Sequence, residues 1–269
     1  MRLSEARVVL TGASGGIGLA IATALCASGA RVLAVARHRE PLVPLLERYP
    51  QQLSWVGADL TFLTDRRKVL AAAEGLGGLN LLINAAGINH FAMLEQLDDS
   101  DINAMLAVNV SAPICLTRLL LPLLKQAESA MVVNVGSTYG SIGYPGYASY
   151  CATKFALRGF SEALRRELAD TRVGVLYVAP RATRTSMNSA AAQALNVALK
   201  SNVDDPQKVA SAVMHAIAGD HRDLYLGWPE RFFVGLNSLL PNLVDRGLRK
   251  QLPLIRRLSQ KPDNENFKP

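Results

Sequence analysis

The chain has 269 residues, 49% of them hydrophobic and 19% charged, the balance of a globular protein with a large buried core. Cys26, Cys115 and Cys151 are odd in number and lack zinc-ligand spacing, which excludes a disulfide framework and reads as reduced thiols of a cytoplasmic protein. The net charge of +7 is concentrated near the C-terminus: six basic residues and one acid fall between Asn242 and Lys261, so the rest of the chain is close to neutral.

Short apolar or β-branched runs alternate with longer helical patterns along the chain. Strands are predicted at 7–10, 31–36, 53–58, 79–85, 130–135, 173–178 and 223–226. Helices are predicted at 16–28, 39–48, 65–74, 98–126 with Pro113 as a break point, 148–170 and 206–218. The expected architecture is α/β, a doubly wound parallel sheet of Rossmann type, in one domain over residues 1–225 with a C-terminal amphipathic helical extension over 226–269. The run Val8, Val9, Leu10 is too short for a signal peptide, and no unbroken apolar stretch reaches about 18 residues, so no membrane span is expected.

The first strand leads into Thr11-Gly12-Ala13-Ser14-Gly15-Gly16-Ile17-Gly18 and then a helix. Glycines allow positive φ and let backbone N–H groups approach a pyrophosphate at a helix N-terminus, so Gly12, Ser14, Gly16, Ile17 and Gly18 are candidate cofactor contacts. At the end of the second strand a carboxylate would accept from the ribose 2′-OH of NAD, but Val35-Ala36-Arg37-His38-Arg39 has none until Glu40. Arg37 can instead pair with a 2′-phosphate, and the cofactor expected is NADP(H).

Tyr150 and Lys154 lie four apart on a predicted helix and therefore share a face. A tyrosine titrates near 10, and a neighbouring ammonium is expected to lower that value toward the working range of an acid–base catalyst. Cys151 diverges from Tyr150 by about 100° and reads as a packed thiol, not a nucleophile. Ser137 follows the fifth predicted strand, at the carboxyl end where open α/β sheets bind ligands. Asn84-Ala85-Ala86-Gly87 ends another strand, and Asn109 is a polar residue within an apolar helix.

Taken together and in order, these residues resemble the short-chain dehydrogenase/reductase family. The turn Thr11–Gly18, Asp59 in Ala58-Asp59-Leu60, Asn84 to Gly87, Asn109, Ser137 and the pair Tyr150, Lys154 carry the resemblance, which runs from residue 1 to about 225, over four-fifths of the chain. It implies an enzyme that interconverts a ketone or aldehyde and an alcohol with NADP+ as acceptor. Tyr150 would donate or accept the proton, Ser137 would bond the reacting oxygen, Lys154 would lower the Tyr pKa and bind the nicotinamide ribose, and Asn109 would hold a relay water. Asp59 and Leu60 would face adenine, and Asn84, Ala85 and Gly87 would line the nucleotide site. The family's Pro-Gly and following Thr appear here as Pro180-Arg181-Ala182-Thr183-Arg184-Thr185. Arg181 departs from the pattern, Pro180, Thr183 and Thr185 are kept as cofactor candidates, and Arg181 and Arg184 are either surface residues or readers of an acidic group. The competing function is a non-catalytic NADP(H)-binding regulator; the presence of Ser137, Tyr150 and Lys154 favours the enzyme.

Loops after the fourth, fifth and sixth strands offer Tyr139, Tyr144, Tyr147 and Met187 as substrate contacts, an apolar and aromatic set suited to a hydrophobic substrate. Residues 183–202 are helical by composition and predict a lid. Beyond residue 231, large aliphatics recur at helical spacing opposite Arg246, Arg249, Lys250, Arg256 and Arg257. The expectations for this tail are packing on the core or on a partner subunit, or peripheral contact with an acidic membrane. Basic residues beside aliphatics without stacking aromatics argue against nucleic acid. The two long helices resemble those that build dimers in the family, so a homodimer or homotetramer is expected.

Overall fold

The computed structural model describes residues 1–260; the last nine residues of the expected extension lie outside the described residues. The strands are β1 (Arg7–Thr11), β2 (Arg31–Ala36), β3 (Leu53–Gly57), β4 (Leu81–Asn84), β5 (Ala130–Val135), β6 (Val173–Ala179) and β7 (Asp223–Tyr225). All pair in parallel in one sheet, in the order β3-β2-β1-β4-β5-β6-β7. Chain order reverses between β1 and β4, so the loops leaving those two strands part and open a crevice at their carboxyl ends.

Continuous apolar strands require cover on both faces, and helices supply it. The helices α1 (Gly16–Ala27), α2 (Val43–Arg48) and α8 (Pro206–Ala218) bury one face, with Ile21, Leu25, Leu45, Val213 and Ile217 packed on Val8, Leu10, Ile83 and Val133. On the other face, α3 (Leu63–Glu74), α5 (Ala112–Leu124) and α6 (Ala148–Glu167) bring Val69, Leu116, Leu120 and Leu164 onto Val9, Leu82, Val132 and Val175. Between β4 and β5, α4 (Asp99–Leu106) runs through a π turn, Ala107–Ser111, into α5 without the break expected at Pro113. Pro113 falls in the first turn of α5, just after the wide turn, where a missing N–H is tolerated.

By length and hydropathy Asp99–Leu124 would suffice to cross a membrane, although polar residues interrupt its apolar run. Here its inner face carries Met105, Leu116, Leu120 and Leu124, all buried, so it is a core helix of this fold. A polar thread ties sheet to helix. Asn84 donates to Asn134 Oδ1 at 2.8 Å, Asn134 donates to Ser161 at 2.8 Å, and Ser161 donates to the Leu157 carbonyl. This thread fixes α6, and with it Tyr150 and Lys154, relative to β4 and β5.

The remaining helices are α7 (Ala190–Ala198), α9 (Trp228–Leu239) and α10 (Pro241–Ser259). The helical lid expected at 183–202 is helical only over α7. The C-terminal extension is not a separate body. Ile255 of α10 is fully buried in a third apolar cluster with Phe91, Met105, Tyr147, Tyr150, Cys151 and Leu195. Of the expectations for the tail, packing on the core is what α10 does.

Candidate active site

The crevice at the switch point is a cleft of about 570 Å³. Its floor is the glycine turn. Gly12 has φ +64°, and a Cβ there would lie 2.7 Å from the Ala86 backbone; one on Gly18 would overlap the Gly12 carbonyl. A side chain at either position would close the approach that a pyrophosphate needs at the start of α1. Thr11 locks this turn to the loop after β4, its hydroxyl accepting from the amides of Ala85 and Ala86 at 3.1 Å each.

Gly12, Ser14, Gly16, Ile17, Gly18, Arg37, Ala85, Gly87, Ser137, Tyr139, Tyr147, Tyr150, Lys154, Pro180, Thr183, Thr185 and Met187 all line the cleft. Arg37 is exposed at its edge. Thr185 lies against Gly16, across the cleft from its own strand.

Five expected residues lie outside the cleft lining. Asp59 turns onto its own loop and accepts from the Thr61 amide and hydroxyl, and neither it nor Leu60 lines the cleft. The Asn84 amide nitrogen donates to Thr117 and Asn134 within the core, while its buried Oδ1 has no partner among the described residues. Tyr144 donates to Gln251 Oε1 of α10 at 2.7 Å, so it holds the C-terminal helix rather than facing the cleft. Asn109 also lies behind the wall. Its amide clamps the Ile88 backbone, accepting from the N–H at 2.8 Å and donating to the carbonyl at 2.9 Å, and donates to Thr153 as well. The π turn swings Asn109 inward to make this clamp, which positions the loop carrying Gly87 and Ile88.

Burial dominates the electrostatics of the catalytic cluster. The Tyr150 hydroxyl is pushed well above its ordinary value by desolvation, and the Ser137 hydroxyl facing it pulls the other way. Lys154 is buried, donates to the Val135 carbonyl at 3.2 Å, and stands with its Nζ 5.5 Å from the Tyr150 ring centre. Desolvation brings it down to about 8. Removal from water is the largest influence on Tyr150 and acts opposite to the lowering expected from Lys154.

Ser137 is placed by a residue that sequence reasoning missed. The Tyr177 hydroxyl, buried in β6, donates to the Ser137 carbonyl at 3.2 Å and accepts from its amide. Gly136 and Gly140 leave the room this ring occupies. A tyrosine set among apolar strand residues, with glycines at two nearby loop positions, was the available signal.

The walls of the cleft are unlike each other. Tyr139 stacks edge-on to Tyr150 at 6.4 Å and tilted on Tyr147 at 5.1 Å, making an aromatic side. The lid side is polar, with Ser186, Asn188, Ser189, Asn196, Ser201 and Asn202. Arg181 lines the cleft and does not lie free. It grips Asp204 with two bonds of 2.8 and 3.0 Å and reaches Glu230 at 3.2 Å, tying both ends of the lid to α9. Arg184 pairs with Asp205 on the surface. Cys151 donates to the Ile142 carbonyl, accepts from the Tyr144 amide and is raised by burial, as befits a packed thiol. Among the described residues no cluster of His, Cys, Asp and Glu could hold a metal.

A strand–glycine turn–helix at the switch point, with serine, tyrosine and lysine converging above it, defines a dinucleotide-binding oxidoreductase. The short chain dehydrogenase family model matches residues 6–196. The chain belongs to that family. It is similar to the uncharacterized oxidoreductase YxnA of Bacillus subtilis, 29% identical over 93% of this chain and 73% of that protein. A short-chain dehydrogenase structure from Streptomyces avermitilis is 30% identical with a TM-score of 0.79, covering 94% of this chain and 99% of the other. A Burkholderia cenocepacia short-chain dehydrogenase in complex with NADP is 26% identical with a TM-score of 0.79, covering 92% and 99%.

Proposed function

We propose that the protein is a cytoplasmic NADP(H)-dependent oxidoreductase that interconverts a hydrophobic ketone or aldehyde and the corresponding alcohol. One observation carries the reading: a buried, protonated Tyr150, the Ser137 hydroxyl and the Lys154 ammonium converge on the cleft floored by the glycine turn. The cradle around Gly12 and Gly18 suits a pyrophosphate, and Arg37, with no carboxylate beside it on β2, suits a ribose 2′-phosphate.

The cofactor would supply or accept a hydride. Ser137 would donate to the substrate carbonyl oxygen and polarise it, while Tyr150 would give its phenolic proton to that oxygen as negative charge develops there. Lys154 would steady the resulting phenolate by its charge and bond the nicotinamide ribose. In the reverse direction the same tyrosine takes the alcohol proton. The aromatic side, Tyr139 and Tyr147, would exclude water around the reacting carbon.

The test is a panel of ketones, aldehydes and alcohols with NADPH and NADH. Tyr150→Phe is expected to lower turnover by about a thousandfold while NADPH binding, read by fluorescence, persists. Undiminished turnover would remove the acid–base role, and a strong NADH preference would remove the role given to Arg37. Exposed Leu106 and Phe155, on α4 and α6, support a homodimer or homotetramer, which light scattering would read.

A further inference from the structure

Surface helices ordinarily turn large apolar residues inward; α9 (Trp228–Leu239) leaves its largest ones outside. Trp228, Phe232 and Leu239 fall on one stripe, at i, i+4 and i+11, and are 80%, 56% and 81% exposed. The rings of Trp228 and Phe232 stack outside the protein at 6.2 Å. Two polar residues of the helix face the body, Glu230 bonding Arg181 at 3.2 Å and Asn237 donating to the Ser141 carbonyl at 3.0 Å. Leu240 and Leu243 carry the apolar surface round the corner into α10.

The charge beside this patch is predominantly positive. Arg231, Arg246, Arg249, Lys250, Arg256 and Arg257 are all exposed, and among the described residues none of them is in an ion pair. Asp245 is the one exposed acid on the two helices, since Glu230 is taken by Arg181. On α10 the cations occupy the face opposite Ile255, which is anchored in the core, so they point away from the molecule.

We propose that α9 and the outer face of α10 form a docking surface for an anionic lipid bilayer. Trp228, Phe232 and Leu239 enter the boundary between headgroups and acyl chains, where aromatic and aliphatic residues gain most, and Arg231, Arg246, Arg249 and Lys250 meet acidic headgroups. The charge decides the occupant. A second copy on the same face would set these cations against their own images across a twofold contact, whereas an acidic bilayer neutralises them. Docking does not loosen the fold, because α10 stays seated through Ile255 and Gln251. It also brings the cleft close to the lipid, since Glu230 on the inner side of α9 lines it.

The test is sedimentation of the full chain with vesicles of phosphatidylcholine alone and with vesicles in which about a third of the lipid is phosphatidylglycerol. The expected result is binding to the anionic vesicles, weakened by salt, with a blue shift in Trp228 emission in a Trp55→Phe background. A Trp228→Ser, Phe232→Ser, Leu239→Ser variant is expected to lose that binding. An Arg246→Glu, Arg249→Glu, Lys250→Glu variant is expected to lose it on the order of a hundredfold, both variants keeping the wild-type melting temperature. The proposal is overturned by any of three results: no binding to either vesicle, equal binding to both, or an apolar variant that sediments like wild type. It is also overturned if that variant converts a dimer to a monomer without any lipid binding by the parent, because a second copy is then the occupant.

Discussion

Lys154 shows at the scale of one residue how function and stability pull apart. It is 4% exposed, with one hydrogen bond and no carboxylate partner among the described contacts, and burial lowers it from 10.5 to about 8. Between those two values the unfolded chain holds a proton that the folded chain has released, so stability rises with pH across that window. Below about pH 8 the full penalty of burying the charge is present. Lys154→Met is therefore expected to raise the unfolding free energy at pH 7 by about 2 kcal/mol while reducing turnover by about a hundredfold. Paired thermal melts and steady-state assays check this; a loss of stability would show that the Val135 bond outweighs desolvation. The spacing of Tyr150 and Lys154 was legible in the sequence because four residues return to the same side of a helix. Their ionisation was not, because it depends on how completely the surrounding chain excludes water.

At the scale of the element, the lid is governed by its two ends. Arg181 closes residues 182–203 into a loop by holding Asp204, whose carboxyl it keeps below its usual value, and by reaching α9 through Glu230. Arg181→Gly, which restores the family's residue, would leave Asp204 buried with Lys208 alone. The expected cost is about 2–3 kcal/mol at neutral pH, with a raised KM because the lid lines the cleft. The sign with pH follows from the lowered carboxyl. Its stabilisation is present above the ordinary value of 3.8 and is lost as pH falls through the folded one. Wild type and variant should then converge on acidification, and melts at neutral and acidic pH compare them. Proximity of Arg181 to Asp204 and Glu230, 23 and 49 residues along the chain, has no local signal and left the role of Arg181 open in the sequence. Tyr144 misled for the same reason: an aromatic loop residue near a catalytic tyrosine turned out to bind a helix more than a hundred residues further on.

At the scale of the molecule, the C-terminal extension completes the core rather than following it. Ile255 is fully buried among Phe91, Tyr147 and Tyr150, so Ile255→Ala is expected to cost about 2–4 kcal/mol and to loosen the aromatic wall of the cleft. Denaturant unfolding and a substrate KM read the two effects; a variant as stable as wild type would show that α10 is only laid on the surface. The sheet and its order of helices were readable almost element by element, since burial on both faces writes continuous apolar strands and burial on one face writes a helical period. That the glycine turn, Arg37, Ser137, Tyr150 and Lys154 border one cleft was readable because each lies close in the chain to its neighbours or at the end of a strand. What the tertiary structure decided is which side chains look into the cleft. Asn109 clamps the Ile88 backbone, Asn84 Nδ2 bonds Asn134 and Asp59 Oδ1 bonds Thr61, and the large apolar side chains of α9 look outward. Local chemistry selects the element and the backbone turn, but the direction in which a finished element faces is set by contacts with residues far away in sequence.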